Sequence, residues 1–209
     1  AQVQLSLSPL QIRSSFKVDA LRLARLGPSG FALAPILGGL MGVEGETLYT
    51  VEPASSIVIR HASLHGDALD MKLPGGHAPQ LKVGHWSIGT LSYAEAAGLR
   101  VDNVALREPD LALTHTADGW AGLAGEGGAA PPITIGAVTV EAGQLHLADQ
   151  VGRHGVRVNL GDIDVKLSAE QTAARQVEAY ARLDKHGEIE VAGSLGADSS
   201  PTELSAMTR

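Results

Sequence analysis

The sequence of 209 residues contains no cysteine and very few aromatic side chains. Without cysteine, disulfide-bonded scaffolds, thiol nucleophiles and cysteine-ligated zinc are excluded. Aromatic residues make up 3% of the chain and hydrophobic residues 44%, so its apolar content is mainly Leu, Val, Ile and Ala. No segment approaches the roughly 20 consecutive apolar residues that a membrane-spanning helix requires.

An excess of basic charge is also missing. The chain has 16 Lys and Arg against 23 Asp and Glu, which gives a net charge of −7, and its basic residues form no run. This balance is a poor match for a phosphate backbone, so we predict no nucleic-acid partner. The chain starts at Ala1 without a charged and apolar leader, and we expect it to be a fragment or processed form of a longer protein.

Alternation of apolar and polar residues is the dominant pattern. Strands with one buried and one solvated face show this period of two. The runs are short and are separated by Gly, Asp, Asn or Pro, which is typical of an antiparallel meander. The clearest apolar positions are Ile57, Ile59, Leu81, Val83, Leu111, Leu113, Ile133, Ile135, Leu145, Leu147, Ile189 and Val191.

Three local patterns predict how strands connect. The segment 183–188, which contains Gly187, lies between two alternating runs and predicts a hairpin. The segment 140–144 predicts a second one. Between Leu160 and Ile163 the apolar positions change parity, which requires a bulge or a tight turn.

Helix signals are few. Residues 35–41 predict about two helical turns, residues 92–97 one turn, and residues 169–174 a short turn or loop. The Gly- and Pro-rich segment 125–132 predicts a linker or loop between β-rich segments 1–124 and 133–209. We therefore expect an all-β, mainly antiparallel fold with one to three short helices, arranged as an extended curved sheet or a sandwich.

The order of these elements resembles a known family. Residues 16–23 run into Leu26-Gly27-Pro28, and a short apolar stretch, the segment 45–51 and a strand at 56–59 follow. Residues 104–120 form a strand, a Pro, a second strand and then Asp-Gly-Trp, and residues 142–149 add a glycine, a strand and an Asp. This order resembles the AsmA-like superfamily of bacterial envelope proteins, in particular its large repeat-containing branch, which is related to bridge-like lipid-transfer proteins.

The resemblance implies a fold, a location and a function. Such proteins are anchored in the inner membrane, extend through the periplasm of Gram-negative bacteria, and form a long curved sheet with an apolar floor. They are implicated in phospholipid movement and outer-membrane assembly. The resemblance brings no catalytic residues with it.

The candidate chemical groups favour a non-catalytic reading. His61-x-x-x-His65, with Asp67 and Asp70 nearby, is compatible with a metal cluster, but it lies in a strand and turn and lacks the Glu of a zincin motif. We interpret these residues as solvated or hydrogen-bonded side chains, and the pairs Asp162-x-Asp164 and Glu188-x-Glu190 as outer-face charges. No nucleophile, P-loop or dinucleotide motif is present, so we predict no enzyme, no cofactor and no metal. Trp86 and Trp120 are interpreted as plugs at strand ends.

Two functions remain open. In the first, the chain is a segment of an AsmA-like periplasmic protein, and the twelve apolar positions above line a face that binds phospholipid acyl chains. In the second, the sheet carries no lipid and binds protein partners, either neighbouring repeats of the same chain or envelope proteins, through its edges. A hydrolase that uses His61, His65 or Asp67 is a third and weaker hypothesis. Any membrane contact would be made by other parts of the longer protein.

Overall fold

The computed structural model describes residues 2–7, 10–25, 36–50, 56–72, 80–94, 98–117, 119–120, 133–151, 155–169, 174–184, 187–196 and 201–208. Apart from a single 3-10 turn at Leu23–Arg25, its regular structure is all strand. The strands are β1 (Gln2–Leu7), β2 (Leu10–Arg22), β3 (Ile36–Thr50), β4 (Ser56–Lys72), β5 (Gln80–Ala94), β6 (Gly98–Thr116), β7 (Gly119–Trp120), β8 (Ile133–Asp149), β9 (Val156–Leu167), β10 (Ala174–Leu183), β11 (Gly187–Gly196) and β12 (Pro201–Thr208).

All twelve strands belong to one open sheet. They follow chain order from β1 to β12, except that β8 lies beside β6 and the short β7 pairs with the end of β6. Neighbouring strands are antiparallel, apart from β6 and β8, which run parallel. The predicted all-β, mainly antiparallel fold is confirmed. Of the two arrangements left open, the described residues adopt the extended sheet and not the sandwich.

The predicted helix at 35–41 is wrong, because Ile36 begins strand β3 and the following residues pair with β2 and β4. Its two adjacent glycines weaken a helix, and pairing on both sides satisfies the backbone instead. Ser92 to Ala94 continue β5, so the predicted turn there is also wrong for the residues described. Residues 95–97, most of 169–174 and the linker 125–132 lie outside the described residues, although strands on both sides of the linker share the sheet.

The connection predictions had mixed outcomes. The hairpin at 183–188 is confirmed, since Leu183 pairs with Gly187. The hairpin at 140–144 is wrong, because β8 continues through it with Ala142 in a left-handed conformation at φ 52°. The parity change between Leu160 and Ile163 is confirmed as a bulge: Asp162 has φ 47°, and the register shifts beside it towards both neighbouring strands.

Left-handed residues on neighbouring strands lie at the same level of the sheet, and the register shifts beside two of them, Ala68 and Ala142. The register around Gly84 places it opposite both Ala68 and Glu108, and Glu108 lies beside Ala142. Ala68, Glu108 and Ala142 all have a positive φ. Each bulge reverses the side-chain parity of its strand. Because the reversals coincide, the same face of the sheet stays apolar on both sides of this line, which we call the bulge line.

The sheet buries little. The fully buried hydrophobic residues among those described are Leu23, Ala62, Val83, Val101 and Leu113. The accessible surface is 14,006 Å², whereas a compact protein of 21.6 kDa exposes about 9,200 Å². Within the described residues no second sheet or long helix covers either face.

Candidate functional site

The strand register places all twelve predicted apolar positions on one side of the sheet, which we call the apolar face. One row of register partners across the sheet consists of Met71, Leu81, Leu111, Leu145 and Leu160. Further rows connect Ile59 through Tyr93 and Leu99 to Ile133, and Val140 through Val165 and Ala179 to Val191. Along these rows the apolar face therefore continues from strand to strand.

Sequence reasoning missed the centre of this face. A row of register partners there consists of Gly66, Trp86, Leu106 and Val140. Directly beyond the bulge line the even-numbered residues of these strands, and no longer the odd-numbered ones, point to the apolar side. Trp86 lies in the middle of β5 and not at a strand end, so that prediction was wrong. A Cβ added at Gly66 would collide with the indole, which shows that the ring lies directly over this glycine. The side chain of Trp120 lies outside the described residues.

The apolar face is large and its ends are open. Across the eleven strands of the main path it measures about 48 Å, and a strand of 15 residues is about 50 Å long. Near its ends Ile57, Ile133 and Ile135 are 52%, 53% and 43% exposed. Such a surface far exceeds the apolar patch of about 300–600 Å² that a typical monomer exposes.

The opposite side, which we call the polar face, carries ion pairs and hydrogen bonds between strands. His85 Nδ1 lies 2.6 Å from Asp67 Oδ1, and Arg182 Nη2 lies 2.5 Å from Asp162 Oδ2. Arg107 and Glu141 are 3.9 Å apart. These groups are more than half exposed, so each pair contributes little to stability.

A longer chain of polar contacts on the polar face connects β6, β8, β9 and the residue that follows β10. His146 lies 3.4 Å from Asp110 through Nε2 and 2.8 Å from Asn159 through Nδ1, and Asn159 Nδ2 lies 3.5 Å from Asp184 Oδ1. His146, Asn159 and Asp184 border a shallow hollow of about 500 Å³ together with Gln144 and Arg182. The first three of these side chains are thus in contact with one another and not only with solvent.

The predicted charged pairs lie on the polar face and are exposed. Asp162 pairs with Arg182, and Asp164 Oδ1 accepts a hydrogen bond of 3.0 Å from the backbone N–H of the bulge residue Ala142. Glu188 and Glu190 are exposed as well. Partial desolvation, followed by the charge of Glu188, raises the pKa of the neighbouring Tyr180 above its usual value.

The side chains of His61, His65, Asp67 and Asp70 do not come together at one point in the described structure. His61 is an exposed left-handed residue at φ 50°, Asp67 is engaged with His85, and Asp70 accepts a hydrogen bond of 2.9 Å from Gln80. His65 lies on the polar face, where a Cβ at Gly42 would meet its ring. Across the described part of the chain, no three His, Asp or Glu side chains lie close enough to hold a metal ion.

One pair of ionisable side chains lies on the apolar face itself. His115 and Asp149 are register partners at the ends of β6 and β8, two residues beyond Leu113 and Leu147. Asp149 Oδ1 lies 3.2 Å from His115 Nδ1 and accepts a 2.9 Å hydrogen bond from the backbone N–H of Val151. The Val151 hydrogen bond, helped by His115 and opposed by partial desolvation, lowers the pKa of Asp149 below its usual value of 3.8.

The chain matches none of the protein-family models, curated proteins or solved structures with which it was compared. Among the described residues, no helix has the length and apolar character needed to cross a membrane.

Proposed function

We propose that this chain is a non-catalytic lipid-binding segment whose apolar face holds phospholipid acyl chains. The observation that carries the proposal is the single sheet with one continuous apolar face and no covering layer among the described residues. The resemblance to AsmA-like proteins supports the same function and extends it to transfer between the inner and outer membranes. Periplasmic location and an inner-membrane anchor in the longer protein belong to this proposal.

The side chains of the apolar face suit acyl chains. Leu, Val and Ile present branched aliphatic surface without hydrogen-bonding groups, and the central rows contain them almost alone. Covering about 200 Å² of such surface contributes about 5 kcal/mol at roughly 25 cal/mol per Å². Acyl chains need no directional partner, so a smooth aliphatic surface is sufficient to hold them.

Trp86 is a natural probe for lipid on the apolar face. The chain contains two tryptophans, so Trp120→Phe leaves Trp86 as the only one. We expect phospholipids brominated on their acyl chains to quench the fluorescence of Trp86, whereas water-soluble acrylamide quenches it less once lipid is bound. Native mass spectrometry of the same sample should show bound phospholipid. If neither method detects lipid, the proposal is wrong.

A matched pair of variants tests whether lipid binds to the apolar face and not to the polar face. Ile135 lies on the apolar face and is 43% exposed, so Ile135→Glu adds a charge there without opening a core. The next residue towards the N-terminus, Thr134, points to the polar face, and Thr134→Glu adds the same charge to the opposite side. We expect the Ile135→Glu variant to retain several-fold less lipid, and the Thr134→Glu variant to retain as much as the wild type.

A second candidate function is protein binding through the sheet edges. Within the described residues, β1 and β12 each pair with one neighbour only, and β1 exposes Val3 at 68% and Leu5 at 62%. An open edge offers unpaired backbone groups to another strand. Photocrosslinks from Val3 to protein, in samples without bound lipid, would favour this function over the first.

A further inference from the structure

We propose that Asp149, held by His115 and the Val151 backbone, forms a headgroup site at one end of the apolar face and binds the ammonium group of a phosphatidylethanolamine-type phospholipid. This inference rests on the proposed lipid-binding function and adds a choice of headgroup to it. It assigns the acyl chains to the adjoining leucine rows.

The location of Asp149 is unusual for a carboxylate. Among the described residues of β4, β5, β6, β8 and β9, the ionisable side chains on the apolar face are Tyr93, His115 and Asp149. The other carboxylates on these strands point to the polar face. Asp149 is 47% exposed and lies two residues beyond Leu147 on the same face, so its carboxylate borders the leucine rows.

Among the described residues, the hydrogen bonds of Asp149 involve only one of its two carboxylate oxygens. The contacts from His115 and from the Val151 N–H both go to Oδ1. Oδ2 accepts no hydrogen bond from the described residues. Since the lowered pKa keeps this carboxylate ionised at neutral pH, Oδ2 is a charged acceptor at the border of an apolar surface.

Phosphatidylethanolamine fits this acceptor better than other common phospholipids. Its primary ammonium carries a positive charge and three N–H donors, so it forms a charge-assisted hydrogen bond with Oδ2. The quaternary ammonium of phosphatidylcholine carries the charge but no N–H donor. Phosphatidylglycerol has a net negative charge, which the carboxylate repels.

The apolar face next to Asp149 has the length of an acyl chain. Half of a bilayer core of about 30 Å is about 15 Å, which equals about five residues of strand. Counted from Asp149, this distance covers Leu147, Leu145 and Gly143 on β8, and it ends at the bulge line. Gly143 adds no side chain to this path, and a Cβ there would lie 3.2 Å from Ile163 Cβ and 3.3 Å from Pro109 Cγ.

The test is a competition between headgroups. The protein is incubated with vesicles that contain equal amounts of phosphatidylethanolamine, phosphatidylcholine and phosphatidylglycerol with identical acyl chains. It is then reisolated, and its lipids are quantified by mass spectrometry. One charge-assisted hydrogen bond at a half-exposed site should enrich phosphatidylethanolamine about three- to fivefold over phosphatidylcholine.

Two variants locate the headgroup preference. We expect Asp149→Asn to bring the ratio of the two lipids close to one, with the total amount of bound lipid unchanged. Asp110→Asn is the matched control, because Asp110 is 46% exposed and lies on the polar face of β6. It should keep the wild-type ratio. A preference that survives in Asp149→Asn would overturn the headgroup site.

A second measurement uses the wild-type protein alone, in case Asp149→Asn does not fold. Mono- and dimethylated phosphatidylethanolamine keep at least one N–H donor and phosphatidylcholine has none, so binding should fall most at the last step of this series. Equal binding of all members would overturn the headgroup site while leaving acyl-chain binding intact. A wild-type protein that binds no lipid at all would instead overturn the proposed function.

Discussion

Left-handed backbone at residues that carry a side chain is concentrated at the bulges of this sheet. Ala68, Glu108 and Ala142 occupy it at one level, although this conformation costs an L-residue roughly 1–2 kcal/mol. Asp164 compensates part of this cost, because its carboxylate accepts the N–H of Ala142. The strain is thus maintained where the sheet must reverse the parity of several strands together.

Replacing Ala142 with glycine tests whether the bulge is strained. Glycine adopts a positive φ freely but gains conformational freedom in the unfolded state, so we expect Ala142→Gly to raise the free energy of unfolding by up to about 1 kcal/mol. Ala112, which lies in regular strand conformation on the polar face of β6, is the control, and Ala112→Gly should lower the same quantity by about 0.5–1 kcal/mol. Urea denaturation measures both changes. Equal destabilisation by the two substitutions would contradict strain at Ala142.

Asp149 predicts a specific dependence of stability on pH. Its pKa in the folded protein lies below the usual value of 3.8, so the ionised form stabilises the fold. This contribution is fully present above pH 3.8 and is lost as the pH falls through the lower folded-state pKa. We expect the difference in unfolding free energy between the wild type and Asp149→Asn to shrink as the pH falls from 5 to below 3.8. Urea titrations over this range measure it, and a difference that grows below pH 5 would contradict the assignment.

At the scale of strands, the alternation of apolar and polar residues predicts where strands occur. It does not predict how far each strand continues. Ile57 and Ile59, or Leu145 and Leu147, show their common face in any short window of sequence. The residues near the bulges do not, because Ala142 changes the parity of β8 directly before Gly143, a residue type that also marks turns. The segment 140–144 therefore looked like a hairpin, and Trp86 was assigned to a strand end. Whether β5 and β8 continue at these positions depends on pairing with neighbouring strands, and a local sequence pattern carries no information about that pairing.

The first residues of β8 accept hydrogen bonds from an arginine of β10, a strand that is not adjacent to β8 in the sheet. The register of β8 with β9 begins at Val138, so residues 133–137 extend past the end of β9. Arg175 of β10 donates to the carbonyl oxygens of Ile135 and Gly136, and also to Ser168 O at 3.2 Å. One guanidinium group thus connects the chain of β8 to that of β9 and β10.

Removal of this guanidinium group should weaken the sheet. We expect Arg175→Leu to lower the free energy of unfolding by about 1–3 kcal/mol, since hydrogen bonds from a charged donor contribute more than neutral ones. Arg175→Lys should recover only part of the loss, because an ammonium group does not reproduce the planar fork. Chemical denaturation gives both values. Lys166→Leu, at an exposed site on the polar face of β9, is the control and should change stability by less than about 0.5 kcal/mol.

At the scale of the whole molecule, the balance between aromatic and aliphatic residues now has a structural meaning. A chain with 3% aromatic residues builds few bulky packing centres, and here the described residues form one layer instead of two. The sequence predicted strands with one apolar side but left open whether that side meets a second sheet or remains accessible. Only the arrangement of strands in space answers that question, because both folds require the same alternation.

A single-layer sheet should also differ from a compact protein in its heat capacity of unfolding. The unfolded chain exposes about 31,300 Å², so folding buries about 17,300 Å² here against about 22,100 Å² for a compact protein of this mass. Compact domains have a heat-capacity change of about 12–15 cal/mol/K per residue, or about 2.5–3.1 kcal/mol/K for 209 residues. Since about a fifth less surface is buried, we expect a value about a fifth lower, about 2.0–2.5 kcal/mol/K. Differential scanning calorimetry measures it, with sedimentation to establish that the sample is monomeric. A monomer with the full compact value would show that its apolar face is already covered in solution, which would contradict both the accessible face and the lipid-binding function proposed for it.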